Sequence, residues 1–159
     1  MTDQDVSGLP PLRADLVIEY PFIRTTGPVV GAFLTGLREA VMVGIRRADG
    51  TVMVPPMEYD PVPSEPLNEV VEVSSTGSIV SWTWVDPPRP GSPWDTPHGL
   101  ALVLLDGADT PLLHGVLVDS PDQIATGLRV EAVWRAERVG HITDLVGFVP
   151  VPRDTSEGS

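Results

Sequence analysis

The chain has 159 residues, a formal net charge of −12 and no cysteine, which excludes disulfides, thiolate metal sites and cysteine nucleophiles together. Its ten basic residues are all arginine and are scattered along the chain, so the concentrated basic face that contacts roughly 6–10 duplex phosphates is missing and nucleic acid is an unsuitable partner. Without lysine there is neither a Schiff-base lysine nor a P-loop lysine, and every cationic side-chain contact must come from a planar guanidinium.

A chain of this length buries about 70% of its unfolded surface and needs no metal or disulfide to be stable. No basic stretch followed by an apolar one opens the sequence, and no apolar run reaches the ~18 residues of a membrane span. The expectation is a soluble, cytoplasmic protein with no membrane partner.

Taken in order, Met1–Ala14 is polar and aperiodic and is expected to be a tail, as is Pro152–Ser159. Tyr20-Pro21-Phe22 is an isolated aromatic cluster, expected to lie across a hydrophobic surface of this chain or of a partner. Gly27-Pro28 then opens a helix, with Pro28 at its first position and Thr26 or Gly27 as cap. Val29, Val30, Phe33, Leu34 and Leu37 draw one apolar stripe along it. So short a helix is unstable alone in water and must dock on a barrel built by the later strands or on another protein.

Gly44–Pro61 joins this helix to the β-rich remainder of the chain. Val41–Arg47 and Val52–Val54 read as strands around an Asp49-Gly50 turn, predicted as a two-residue turn with positive φ at both residues. Pro55-Pro56 cannot donate to a ladder and ends the pairing. Asp60–Leu67, with Pro61, Pro63 and Pro66, reads as an extended linker. Beyond Asn68 the pattern is β. Glu69–Val73 and Gly77–Val85 read as one long strand bent at Ser74–Thr76, followed by His98–Asp106, Leu112–Asp119, Leu128–Glu137 and Asp144–Val149. Between the third and fourth of these, Ser120 can cap, Pro121 start and Gly127 end a short helical element.

Five strands with a helical element between the third and fourth match a small Greek-key barrel, the OB-fold; a β-sandwich, the competing architecture, usually needs about seven strands. The fold class is therefore mainly β: an N-terminal tail and amphipathic helix (residues 1–40), a hairpin (41–67), a five-stranded OB-fold barrel (68–151) and a disordered tail (152–159).

OB-folds bind ligands on one barrel face and in the loops after the first and fourth strands. Here those loops are Asp86–Pro97, with five prolines and Trp94, and Arg138–Thr143, with Arg138 and His141. Proline stiffens the first loop, so it loses little entropy on binding. Trp134 reads as barrel core, while Trp82 and Trp84 stay open between core and a ligand-facing wall. The basic residues that accompany base-stacking aromatics are absent, so base stacking is not expected. His98, His114 and His141 fall on three segments without metal-ligand spacing. His114 alternates with Leu112, Val116 and Val118 and reads as a satisfied core histidine. No G-x-S-x-G elbow or Gly-rich phosphate loop is present, so no catalytic residue is assigned.

The hairpin and barrel together resemble the zinc-ribbon and OB-fold family called acyl-CoA-associated, the domain-of-unknown-function thirty-five type. Its ribbon has the form R-C-x-x-C-G…P-P-x-x-x-C-x-x-C. Here Arg46 and Asp49 stand at the first cysteine pair, with Gly50 after them, and Asp60 and Pro63 stand at the second; Pro55-Pro56 is retained. The resemblance continues through Gly77–Thr83, Thr126–Glu131 and Phe148–Pro150, and spans roughly residues 30–151.

The resemblance implies a degenerate, metal-free ribbon, and its cysteine-less branch implies a non-catalytic partner of a thiolase-like, lipid-transfer-protein type aldolase. Such an aldolase cleaves steroid side chains as CoA thioesters, in a heterotetramer. No cofactor is expected on this chain; the CoA thioester is the substrate of the complex. Arg46, Arg47, Trp94, Arg138 and His141 are the expected CoA or ligand contacts. Tyr20, Phe22, Val29, Val30, Phe33, Leu34, Leu37, Pro55, Pro56 and Tyr59 are the expected partner interface. Within the ribbon, Arg46 is expected to pair with Asp60 or Asp49, with Met57 and Tyr59 packed beneath. The alternative is a free-standing acyl-CoA or small-molecule binding module.

Overall fold

A computed structural model describes residue 19 and residues 25–152 of the chain; the two tails, but for Pro152, and Tyr20 and Phe22 lie outside these. Helix α1 spans Pro28–Glu39 and begins at a proline whose fixed φ suits the first helical position. Gly27 occupies the cap position without a side chain, and the cap arrives from elsewhere. The Glu58 carboxylate accepts the Val30 N–H at 2.9 Å and the Val29 N–H at 3.3 Å, satisfying donors that a helix start leaves open. A Cβ on Gly27 would lie 2.1 Å from Glu58 Oε1, so any other residue there would displace the carboxylate from this position.

Strands β1 (Met42–Arg46), β2 (Val52–Met53) and β3 (Glu69–Val73) form an antiparallel sheet in the order β2-β1-β3. The turn between β1 and β2 differs from the two-residue form. Arg46 faces Val52, Arg47 N–H donates to the Thr51 carbonyl at 2.9 Å, and only Gly50 has positive φ, at 88°. This is a three-residue loop closed at glycine. The three-residue geometry puts the left-handed position at Gly50 and not at Asp49, and the Asp49 side chain closes the turn, accepting the Thr51 N–H at 3.0 Å and its hydroxyl at 2.6 Å.

Two further readings are corrected. Asp60–Leu67 is a folded turn rather than an extended linker. The Asp60 carboxylate accepts the Val62 N–H at 2.9 Å, and Asp60 N–H donates to the Glu65 carbonyl at 2.8 Å. Glu69–Val73 and the following strand are not one bent strand, because β3 pairs with β1 along its whole length. At the crossing, Ser74 N–H donates to the Asp106 carbonyl and Asp106 N–H to the Thr76 carbonyl, both at 3.0 Å.

Strands β4 (Thr76–Val85), β5 (His98–Leu105), β6 (Leu112–Val116), β7 (Arg129–Trp134) and β8 (Leu145–Pro150) close a barrel in the order β4-β5-β6-β8-β7. Neighbours are antiparallel except β6 and β8, which run parallel. A 3-10 turn at Pro121–Gln123 lies between β6 and β7; there Gln123 Oε1 accepts the Asp119 N–H at 2.8 Å. One sheet closed on itself, with this turn in this place, is the OB-fold and not a sandwich.

Helix, ribbon and barrel share one core. Phe33 and Leu37 of α1, Met42, Val52 and Val54 of the ribbon, and Ile79, Leu105 and Phe148 of the barrel belong to a single buried cluster. Trp82 and Trp134, half-buried, pack against it, which matches the core reading of Trp134 and decides for core at Trp82. Trp84, also half-buried, is not among the residues packed on this cluster. The ribbon is also tied to the barrel through backbone. Asp109 accepts the Val52 N–H at 2.8 Å and returns its own N–H to the Val52 carbonyl, and the Thr110 hydroxyl does the same for Val54. The loop between β5 and β6 thus serves as a fourth neighbour at the free edge of β2.

Candidate functional site

A pocket of about 320 Å³ opens on the barrel face between the loops after β4 and β7. Pro93 and Trp94 come from the loop after β4, Leu100 from β5, Leu113 and His114 from β6, and Ile142, Thr143, Leu145 and Val146 from the segment entering β8. Arg135, just past the end of β7, contributes the one formal charge among the lining residues. Leu113 is 57% exposed despite its position on the wall.

Trp94 is held in place rather than protruding. Its indole Nε1 donates to the Val146 carbonyl at 3.2 Å. Its ring lies 4.8 Å from that of His98 and meets His114 edge-on at 5.5 Å. The indole lies over Gly115, where an added Cβ would fall 2.4 Å from Trp94 Cζ2. His98 is buried, its Nδ1 2.8 Å from the Thr96 carbonyl. The proline-rich loop is therefore pinned to the barrel at one aromatic residue, and the pocket wall is preformed.

His114 is in the core as its alternation predicts, 8% exposed, but it is not satisfied. Its Nδ1 is sealed from solvent and has no hydrogen-bond partner. Burial pushes its pKa down, and a looser approach to the Gly115 backbone only partly offsets this, so the ring is neutral near pH 7.

The second loop is organised by Asp144, a residue that sequence reasoning treated only as a strand start. Its carboxylate, 1% exposed, accepts the N–H groups of Gly140 at 2.7 Å, Val139 at 3.0 Å and His141 at 3.1 Å. Burial acts to raise its pKa, but these three donors and the adjacent His141 together hold it below the ordinary carboxylate range. Gly140, with φ 87°, was the visible signal of such a turn. His141 is exposed and caps the 3-10 turn at Ile142–Asp144 by accepting the Thr143 N–H at 3.3 Å.

The five expected ligand contacts do not converge. Trp94 lines the barrel pocket, next to which His141 caps its turn. Arg138 is committed to backbone: its Nε donates to the Arg38 carbonyl at the end of α1 at 2.8 Å, and its Nη1 to the Arg135 carbonyl at 2.7 Å. Arg46 and Arg47 line a separate ribbon hollow of about 200 Å³. The knuckle pairing is shifted by one residue from expectation. Arg47, not Arg46, grips Asp60 through two bonds, Nε–Oδ2 at 2.7 Å and Nη2–Oδ1 at 3.1 Å, and reaches Asp49 at 2.8 Å. Arg46 pairs instead with Glu69 at 2.9 Å. Hydrogen bonding from Arg47 lowers the pKa of Asp60; bonds from Thr51 and the charge of Arg47 lower that of Asp49.

The expected interface residues divide as well. Val29, Phe33, Leu37 and Pro56 are buried within this chain, and Val30 and Leu34 are half-buried, so the helix presents no open apolar face. Pro55, Met57 and Tyr59 are exposed, so Met57 and Tyr59 do not pack beneath the knuckle. No group of three or more His, Asp or Glu among the described residues is placed to hold a metal ion. No helix among them is long and apolar enough to cross a membrane.

Residues 70–135 match the family model of the ChsH2 C-terminal OB-fold domain. A DUF35 domain-containing scaffold protein of Pyrococcus furiosus is 30% identical over 98 residues, which is 61% of this chain and 71% of that protein. Among solved structures, a chain of the Ltp2-ChsH2(DUF35) aldolase superposes with a TM-score of 0.58 at 23% identity, covering 80% of this chain and 98% of that one. A DUF35-family protein of unknown function from Sulfolobus solfataricus superposes at 0.54 with 20% identity, covering 68% and 79%. A ribbon sheet welded to a five-stranded OB barrel, and a relative this similar over most of its own length, lead to one assignment: the chain belongs to the DUF35 family.

Proposed function

We propose that this chain is a non-catalytic accessory subunit of a thiolase-fold aldolase, of the lipid-transfer-protein type, acting on a steroid side-chain CoA thioester. The observation that carries the reading is the likeness to a chain of the Ltp2-ChsH2(DUF35) aldolase over 98% of that chain's length. It is supported by the chemistry of the described residues, whose buried carboxylates, Asp60 and Asp144, are engaged in holding loops. In this reading the chain stabilises the catalytic subunit within a heterotetramer and helps to shape the acyl-CoA entrance. The exposed Pro55, Met57 and Tyr59 of the ribbon, with Val62 beside them, offer an apolar contact surface for that subunit.

Co-expression with a thiolase-like partner, followed by affinity capture of this chain, tests the proposal. A stable complex that cleaves the thioester, with this chain inert by itself, is the expected result. Turnover by the isolated chain, or failure of the two proteins to associate, would overturn it. The closed helix face gives some weight to the second reading, a free-standing acyl-CoA or small-molecule binding module, because no large apolar face of α1 requires a partner.

A further inference from the structure

We infer that the barrel-face pocket is a binding site for a compact apolar molecule bearing a carboxylate, with the carboxylate on Arg135 and the apolar body between Trp94, Leu113 and Ile142. Three independent features of the pocket select that chemistry. Its volume of about 320 Å³ lies at the small end of ligand cavities, which begin near ~300 Å³, and suits a fused ring or branched acyl body. Its walls are apolar side chains from several strands and two loops, already fixed by the Trp94 bond to Val146, so little ordering is lost on binding.

The charge pattern supplies the third feature. In a chain of net charge −12, no carboxylate lines this cavity, and the Arg135 guanidinium has no ion-pair or hydrogen-bond partner among the described residues. Arg46, Arg47 and Arg129 each hold an acidic partner, by contrast. A guanidinium free to form two parallel bonds at the rim of an apolar basin matches a carboxylate at the end of an apolar body. The floor agrees: neutral, buried His114, with its unpartnered Nδ1, adds no competing charge.

This inference rests on the pocket alone and stands whether or not the chain works inside an aldolase. The full chain is titrated with 2-naphthoate while amide and indole N–H signals are followed by NMR. The neutral isostere 2-naphthamide and sodium acetate, an anion without the apolar body, are run in parallel. Saturable shifts are expected at the Trp94 indole and the Leu113–Gly115 amides, with affinity about tenfold weaker for the amide, the cost of one charge-assisted contact. Acetate is expected to move none of these signals. Arg135→Gln, at an exposed position, is expected to bring naphthoate down to the affinity of the amide, and Leu113→Glu to abolish the shifts without unfolding. Equal binding of naphthoate and naphthamide, an unaffected Arg135→Gln protein, or shifts confined to other surfaces would overturn the assignment.

Discussion

Arg47 is the residue on which the ribbon's closure depends. Its guanidinium joins Asp49 on one turn to Asp60 on the other, and each carboxylate is held below its ordinary pKa. A carboxylate with a depressed native pKa adds stability in full above its unfolded value of about 4, and that contribution is lost as the pH falls through the depressed native value. Arg47→Met should therefore lower the melting temperature at pH 7, by roughly 5 °C, and by much less near pH 3. A variant with the same deficit at both pH values would show that the pairing adds nothing.

His114 makes a second, separable contribution. It is neutral when folded and protonates near pH 6.5 when unfolded, so the unfolded chain takes up the extra proton and stability falls as the pH drops below about 6.5. His114→Leu is expected to flatten the dependence of the denaturant midpoint on pH between 7 and 5.5. An unchanged slope would assign that dependence to another group. The pairing of opposite charges across the knuckle was legible in the sequence; which arginine makes it was not. A tip of three residues in place of two changes which strand residue faces the second turn, and such register is fixed by backbone geometry that composition does not encode.

At the level of elements, α1 shows how far periodicity carries. The apolar stripe located the helix and its buried side, but a stripe cannot say what will cover it. Here the cover is the chain itself: the ribbon and the loop before β8, where Arg138 holds the last turn through the Arg38 carbonyl. Leu37, fully buried in the shared core, should cost about 2–5 kcal/mol when replaced by alanine, measured by denaturant unfolding of the chain alone. A cost near that of an exposed position would mean that the helix docks only on a partner. The same limit explains Asp60–Leu67: its prolines suggested extension, whereas the Asp60 side chain, by bonding locally, folds the segment back.

On the scale of the molecule, the barrel was the most legible part, because alternating strands and a helical element in one particular gap leave few topologies. The position of β3 was not, since its residues alternate equally well for either sheet and only pairing with β1 decides. The shared core has a thermodynamic consequence: ribbon and barrel should unfold in one transition, with calorimetric and van't Hoff enthalpies equal. The melting temperature should be unaffected by EDTA, since ion pairs and buried aliphatic side chains close the ribbon. Two transitions would divide the core, and a fall with EDTA would expose a metal requirement.

The outer strand of the ribbon carries one more implication. Strand β3 has β1 on one side as its only neighbour in the three-stranded sheet, and its sequence, Glu-Val-Val-Glu-Val, interrupts valine with acid. Glu69 is taken up by Arg46, which leaves Glu72 as the free negative charge on a margin with no strand partner among the described residues. It repels a second copy laid alongside and keeps the sheet from growing between molecules. Glu72→Val would leave four consecutive valines there, and association rising with protein concentration, followed by light scattering, is the expected cost. Solubility is thus expected to hang on a glutamate that lines neither the barrel-face pocket nor the ribbon hollow.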